Sequence, residues 1–193
     1  MKLLASNYML KFFFITVFAF FLISCSYAPH EREVNKIMQT FTTKMYQRGY
    51  CLITYGGSMM DDIKNITLDY EICKNVDIDE ARLLLVKYAE ELLLSINLNE
   101  KARPYLHDYP FTYKNIKFSL TFVQPDMSFT QKPNITYVTI NTSRDHRVDY
   151  CTFDQNARKL RTAYKEPYPE ALRIYQETLM RNEAFEDHGI NPL

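Results

Sequence analysis

The chain has no tryptophan, only four glycines and eight prolines in 193 residues, and no block of charge of one sign. Glycine and proline this sparse, without a period, exclude collagen-like and low-complexity chains. No segment repeats another. Basic and acidic residues stand at 23 each. Without a basic excess or a Lys/Arg run there is no electrostatic footprint for a phosphate backbone, so nucleic acid is excluded as a partner class. Cysteine is scarce too: four residues, with no Cys-x-x-Cys and no Cys/His ligand spacing. That leaves no structural zinc, no dithiol redox motif and no cofactor to name. A glycine-rich phosphate loop, a nucleophile elbow and a paired-carboxylate signature are also missing.

Long hydrophobic runs are limited to one. Phe12 to Ser24 is uncharged, with only Thr16 and Ser24 polar, and Lys2 and Lys11 precede it. As a helix it rises about 20 Å, short of a hydrocarbon layer roughly 30 Å thick. A basic start, a short apolar core and small residues before a break read as a secretory signal peptide over residues 1–24. The end of the run, Leu22-Ile23-Ser24-Cys25, resembles the bacterial lipobox. This resemblance implies acylation of the Cys25 thiol and cleavage just before it. The mature protein is then held to a membrane by lipid on Cys25, in the bacterial cell envelope. Ser26 resembles the outer-membrane type of the signal, where an Asp would mark inner-membrane retention. An uncleaved anchor over Phe12–Ala28 and plain secretion are the competing readings, and all three place the rest of the chain outside the cytoplasm. Residues 25–31 form a short tether, and the six residues after Cys25 reach about 20 Å when extended.

Loss of residues 1–24 removes Lys2 and Lys11, so 23 basic residues become 21 against 23 acidic ones. What remains is enough for one domain, 32–183, followed by a loose tail, 184–193. Six of the thirteen Phe leave with the signal, so the domain is rich in Tyr instead. Tyrosine, apolar in body and polar at its tip, suits contact faces. AT-rich codons are the plainer source of that enrichment.

Glu31–Arg48 predicts a helix, with Val34, Ile37, Met38, Phe41 and Met45 on one face and Gly49 as its stop. Tyr50–Tyr55 and the alternating Ile63–Cys73 read as a hairpin. Asp77 with Glu80 has capping-box spacing and opens a long helix striped by Ile78, Ala81, Leu85, Tyr88, Leu92 and Ile96. Strands are predicted at Ile116–Val123, Ile135–Thr142 and Arg147–Phe153. Arg158–Lys165 reads as basic and loosely helical, and Pro169 opens a last helix to about Asn182. The order α-β-β-α-β-β-β-α, with short connections, predicts an α+β two-layer domain. Its expected sheet is antiparallel, of about five strands, with helices on one face.

Candidate chemistry is thin. Cys51 and Cys151 sit in predicted strands and would bridge if those strands were neighbours, while Cys73 is the spare thiol; three buried, reduced cysteines are the alternative. His107-Asp108 and Asp145-His146 are acid–base pairs on paper. They ground an alternative reading as an envelope hydrolase built around His107 or His146, although adjacent loop residues point apart more often than together. Asp61-Asp62 lacks a spaced ring of oxygen ligands, so no metal is assigned. The strongest surface candidate is the loop Arg103–Tyr113, where Arg103, Tyr105, Tyr109, Phe111 and Tyr113 are stiffened by Pro104 and Pro110 into a possible partner-contact surface. A loop that simply closes the core is the competing reading. Residues 50–125, this loop included, resemble uncharacterised lipoproteins of chlamydia-like intracellular bacteria. The resemblance rests on no diagnostic motif and implies no activity. The function read from these features is a lipid-anchored envelope module, non-enzymatic, holding an envelope protein or cell-wall partner near the membrane.

Overall fold

The first helix, α1 (Pro29–Gln47), begins where Pro29 presets the backbone, and the Glu31 carboxylate accepts the Ala28 N–H at 3.2 Å. It stops at Gln47; Gly49, whose φ is +86°, then reverses the chain, and Tyr50 N–H donates back to the Met45 carbonyl. These features belong to a computed structural model that describes residues 28–142 and 145–187, with side chains as far as 182. The signal peptide and Cys25 lie outside the described residues.

Strands β1 (Cys51–Ser58), β2 (Asn65–Cys73), β3 (Ile116–Val123), β4 (Tyr137–Ile140), β5 (Arg147–Asp154) and β6 (Lys159–Pro167) form one sheet in chain order. Helix α2 (Ile78–Asn97) links β2 to β3, and α3 (Tyr168–Asp187) follows β6 directly. The chain is an α+β domain with two layers. Two details correct the sequence reading. The sheet has six strands, because Arg158–Lys165 is not helical but most of edge strand β6. It is also mixed, because β2 and β3 run parallel while every other pair is antiparallel. Parallel neighbours need a long crossover, and α2 supplies it.

The boundaries shift as well. Residues 29–31, assigned to the tether, form the first turn of α1, and α3 runs through 184–187, assigned to the tail.

The core lies between the sheet and the helices. From β2 and β3 it takes Ile66, Leu68, Tyr70, Ile116, Phe118, Leu120 and Phe122, all fully buried. Alternation puts Asn65, Thr67, Asp69 and Glu71 on the opposite face of β2. Phe41 of α1 meets Tyr70 and Phe118 edge-on at 6.2 and 6.1 Å between ring centroids. The Tyr70 hydroxyl satisfies itself with Thr42 Oγ1 at 2.9 Å. The Asp77 carboxylate accepts the Glu80 N–H at 2.8 Å and caps α2, which covers β3 and β4. Arg48 clamps the end of α1 to α2 by a bidentate pair with Glu91, at 2.7 and 3.1 Å. Among the described residues no helix is long and apolar enough to cross a membrane.

Candidate functional site

The loop Arg103–Tyr113 is exposed over most of its length, but part of its aromatic set turns inward. Asn97, in the last turn of α2, donates to the Phe111 carbonyl and accepts the Phe111 N–H at 2.9 and 2.8 Å, pinning the loop. Phe111 is consequently buried, and Tyr105 and Tyr113 pack against the core. Tyr113 stacks on Tyr168 at 4.7 Å, and Tyr105 meets the His30 ring at 5.9 Å. Of the five candidate contact residues, Arg103 and Tyr109 are exposed, the guanidinium 4.8 Å from the ring centroid. The expected five-residue contact surface is thus narrowed to one exposed cation–π pair with two half-buried tyrosines beside it. Pinning by Asn97 is the physical reason.

The proposed disulfide fails on geometry. Cys51 is on β1 and Cys151 on β5, four strand positions apart in the sheet. At roughly 4.8 Å per strand they are about 19 Å apart, against a limit near 7 Å for bridgeable Cα atoms. Cys51 and Cys73 are exposed thiols, and Cys151 is a buried one whose pKa burial pushes up.

The histidines do not converge. His107 Nδ1 lies 2.5 Å from Asp62 Oδ2, while the neighbouring Asp108 accepts from Asn115 Nδ2 at 3.2 Å instead. His146 sits at a left-handed turn position with its ring 6.3 Å from Tyr113. No described hydrogen bond joins either imidazole to a hydroxyl or thiol. Among the described residues no three His, Cys, Asp or Glu side chains gather as metal ligands.

Sequence reasoning missed two constellations. The first is internal. Arg82 on α2 donates from Nε to Glu166 Oε1 on β6 at 2.7 Å, and the Tyr150 hydroxyl on β5 donates to the same oxygen. All three residues are buried. The pair holds the Arg82 guanidinium firmly charged despite its burial, and burial together with the Glu166 carboxylate pushes the Tyr150 hydroxyl up. This network ties helix to sheet. The signal for it was a charge at 82 inside the apolar stripe of α2.

The second is a surface. Among the described residues strand β1 pairs only with β2, and its other edge has no strand partner. A bulge between Leu52 and Thr54 sets Leu52 opposite Tyr70 and Tyr55 opposite Leu68, so both point to the helix side. There they meet α1 and line a groove of about 520 Å³ with Met38, Thr42 and Tyr46. None of the described side chains that line it is charged. Tyr46 and Tyr55 in the groove are 71 and 64 % exposed, and Ile53, the bulged residue on the same strand as Tyr55, is 54 % exposed.

Comparison with known proteins adds no relative to this geometry: no protein-family model, no curated protein and no solved structure matches the chain.

Proposed function

We propose that the protein is a lipid-anchored protein of the bacterial cell envelope whose domain binds an envelope partner close to the membrane rather than catalysing a reaction. The observation that carries the binding half is the uncharged groove between α1 and β1, continuous with an unpaired strand edge. Exposed aromatic rings beside free backbone donors and acceptors are what strand-addition interfaces use. The location half rests on the Lys2–Cys25 pattern, with Ser26 favouring the outer membrane facing the periplasm. A tether of a few residues then keeps the groove near the lipid surface.

Fractionation tests the location. Wild-type protein is expected in the membrane fraction, and Cys25→Ala is expected to stay unprocessed or to leave that fraction. A mutant with wild-type mass and wild-type membrane association would refute lipidation. One observation favours the hydrolase alternative, the His107–Asp62 contact, since a carboxylate on Nδ1 leaves Nε2 free to act as a base. Turnover of an ester or peptide substrate that disappears in folded His107→Ala would establish it over the binding reading.

A further inference from the structure

We infer that the occupant of the β1 edge and its groove is a second copy of this chain, joined across a two-fold axis by antiparallel β1–β1 pairing. The inference rests on the binding reading above and names its partner.

Charge decides between the two free edges. Strand β6, the other edge, carries Lys159, Arg161 and Lys165 along its length and ends on Pro167. Charged side chains and proline are the devices that keep an edge from pairing. Strand β1 reads Cys-Leu-Ile-Thr-Tyr-Gly-Gly-Ser and has no charge at all. An uncharged strand is complementary to another copy of itself. Pairing β1 with a β6 edge would instead set three cations beside Leu52, Ile53 and Tyr55, so an open head-to-tail array is disfavoured and the closed dimer favoured. The β2 carboxylates Asp69 and Glu71 would stand three strand spacings, about 14 Å or more, from those of the mate, beyond the ~8 Å screening length of physiological salt.

The bulge at Ile53 is itself an edge-guarding device, and it confines pairing to the regular part of the strand, Thr54–Ser58. Within that part lies Gly56, which nothing in its own fold demands. A Cβ built there meets no atom within 4 Å. Gly57 is different, since a Cβ there would stand 2.3 Å from the Asn65 carbonyl oxygen. Strand glycines mark bulges, tight bends or close approach of another backbone, and Gly56, past the bulge and on the outer edge, is placed for the last.

Area supports the same occupant. Tyr46 and Tyr55, at 71 and 64 % exposure, offer about 270 Å² per copy if a ring spans roughly 200 Å². That is over half of the ~500 Å² per partner at which an interface becomes specific, and Ile53 with the strand backbone adds the rest. The two-fold places the α1 helices side by side on one sheet face, so each copy's rings fill the gap that the other leaves open.

The test uses the full chain in isolated envelopes. Thr54→Cys in a Cys51→Ser, Cys73→Ser background is treated with a bis-maleimide of about 15 Å reach, because pairing over Thr54–Ser58 sets Thr54 opposite Ser58 and leaves the two position-54 Cα atoms about 14 Å apart. A single product at twice the protomer mass is expected, with no ladder above it, and Leu160→Cys on β6 is expected to give none. Adding Tyr55→Lys should abolish the product while the melting temperature stays near that of the parent. Ile53→Lys repeats the challenge at an exposed bulge position should Tyr55→Lys fold poorly. Protomer mass alone at Thr54→Cys, an equal product at Leu160→Cys, or a product indifferent to both lysines would overturn self-pairing. Adducts with a different protein at Thr54→Cys would also overturn it while leaving the binding reading standing.

Discussion

The network Arg82–Glu166–Tyr150 invites a quantitative trial, because it places an ion pair where solvent hardly reaches. The Arg82 and Glu166 side chains are 7 and 2 % exposed, and Nε to Oε1 is 2.7 Å. Glu166→Leu would leave the guanidinium buried with only Asp79, a residue 83 % exposed, as its remaining carboxylate. Removing one partner of a buried pair costs about 3–5 kcal/mol. Against a total stability of roughly 5–15 kcal/mol this is a large fraction. At about 2–4 °C per kcal/mol for a domain of this size, the melting temperature should fall by roughly 6–20 °C. Arg82→Met should cost a similar amount, since it strands the carboxylate with the Tyr150 hydroxyl. The triple variant Arg82→Met, Glu166→Leu, Tyr150→Phe removes every member together. Its expected stability is close to wild type, because apolar replacement of a whole buried pair is often neutral or better. Urea unfolding of the four proteins measures the cycle. Single variants losing under ~1 kcal/mol, or a triple losing the sum of the singles, would refute the claim that the network's value lies in mutual satisfaction.

The pinned loop predicts a contrast within itself. Phe111→Ala should cost about 3–5 kcal/mol as a core truncation, whereas Tyr109→Ala should cost no more than the ~0.5–1 kcal/mol of its exposed cation–π contact with Arg103; equal losses in urea unfolding would show that the loop is not divided as described. Alkali should also destabilise the fold. Burial pushes Tyr70 up from about 10 to about 12, so the unfolded chain ionises first. The stabilisation is complete below pH ~10 and is lost as pH rises toward 12, by about 2.7 kcal/mol at ~1.36 kcal/mol per unit. Tyr70→Phe should flatten that part of the stability curve; an unchanged slope would place the loss elsewhere.

What could be read without coordinates was whatever one face of one element encodes. Helix α2 was legible because Asp77 caps it and Ala81, Leu85, Tyr88, Leu92 and Ile96 repeat at helical spacing, and each of these is buried. Strand β3 was legible through Ile116, Phe118, Leu120 and Phe122. Strand β6 was not. It is an outer strand that buries only Glu166, so no core requirement imprints alternation on it. The direction of β3 against β2 was hidden for another reason. Alternation records which face is wet and says nothing of polarity, which the α2 crossover sets. In the contact loop the burial of Phe111 could not be read from residue type, because two hydrogen bonds between Asn97 and the Phe111 backbone decide it. The groove was unreadable because a bulge at Ile53 turns Tyr55 to the same side as Leu52, and strict alternation puts them on opposite sides.

The groove and the N-terminal end are joined through a single element, and this limits how the proposed assembly can meet a membrane. Helix α1 starts four residues after Cys25, so the lipid proposed for Cys25 would be held within about 14 Å of the helix N-terminus. The helix has 19 residues and is about 28 Å long. Three residues, Arg48 to Tyr50, turn the chain back into β1, so α1 and β1 run in opposite senses. A two-fold that sets β1 antiparallel to its mate therefore sets the two α1 helices antiparallel as well, with their N-termini at opposite ends of the pair. Stood upright, such a dimer would carry one anchor at the lipid surface and the other about a helix length away, twice the reach of its tether. Both anchors engage only if the α1 axes lie along the membrane. Short tethers and β1 self-pairing together thus require the continuous sheet to lie over the bilayer, with strands running parallel to its surface.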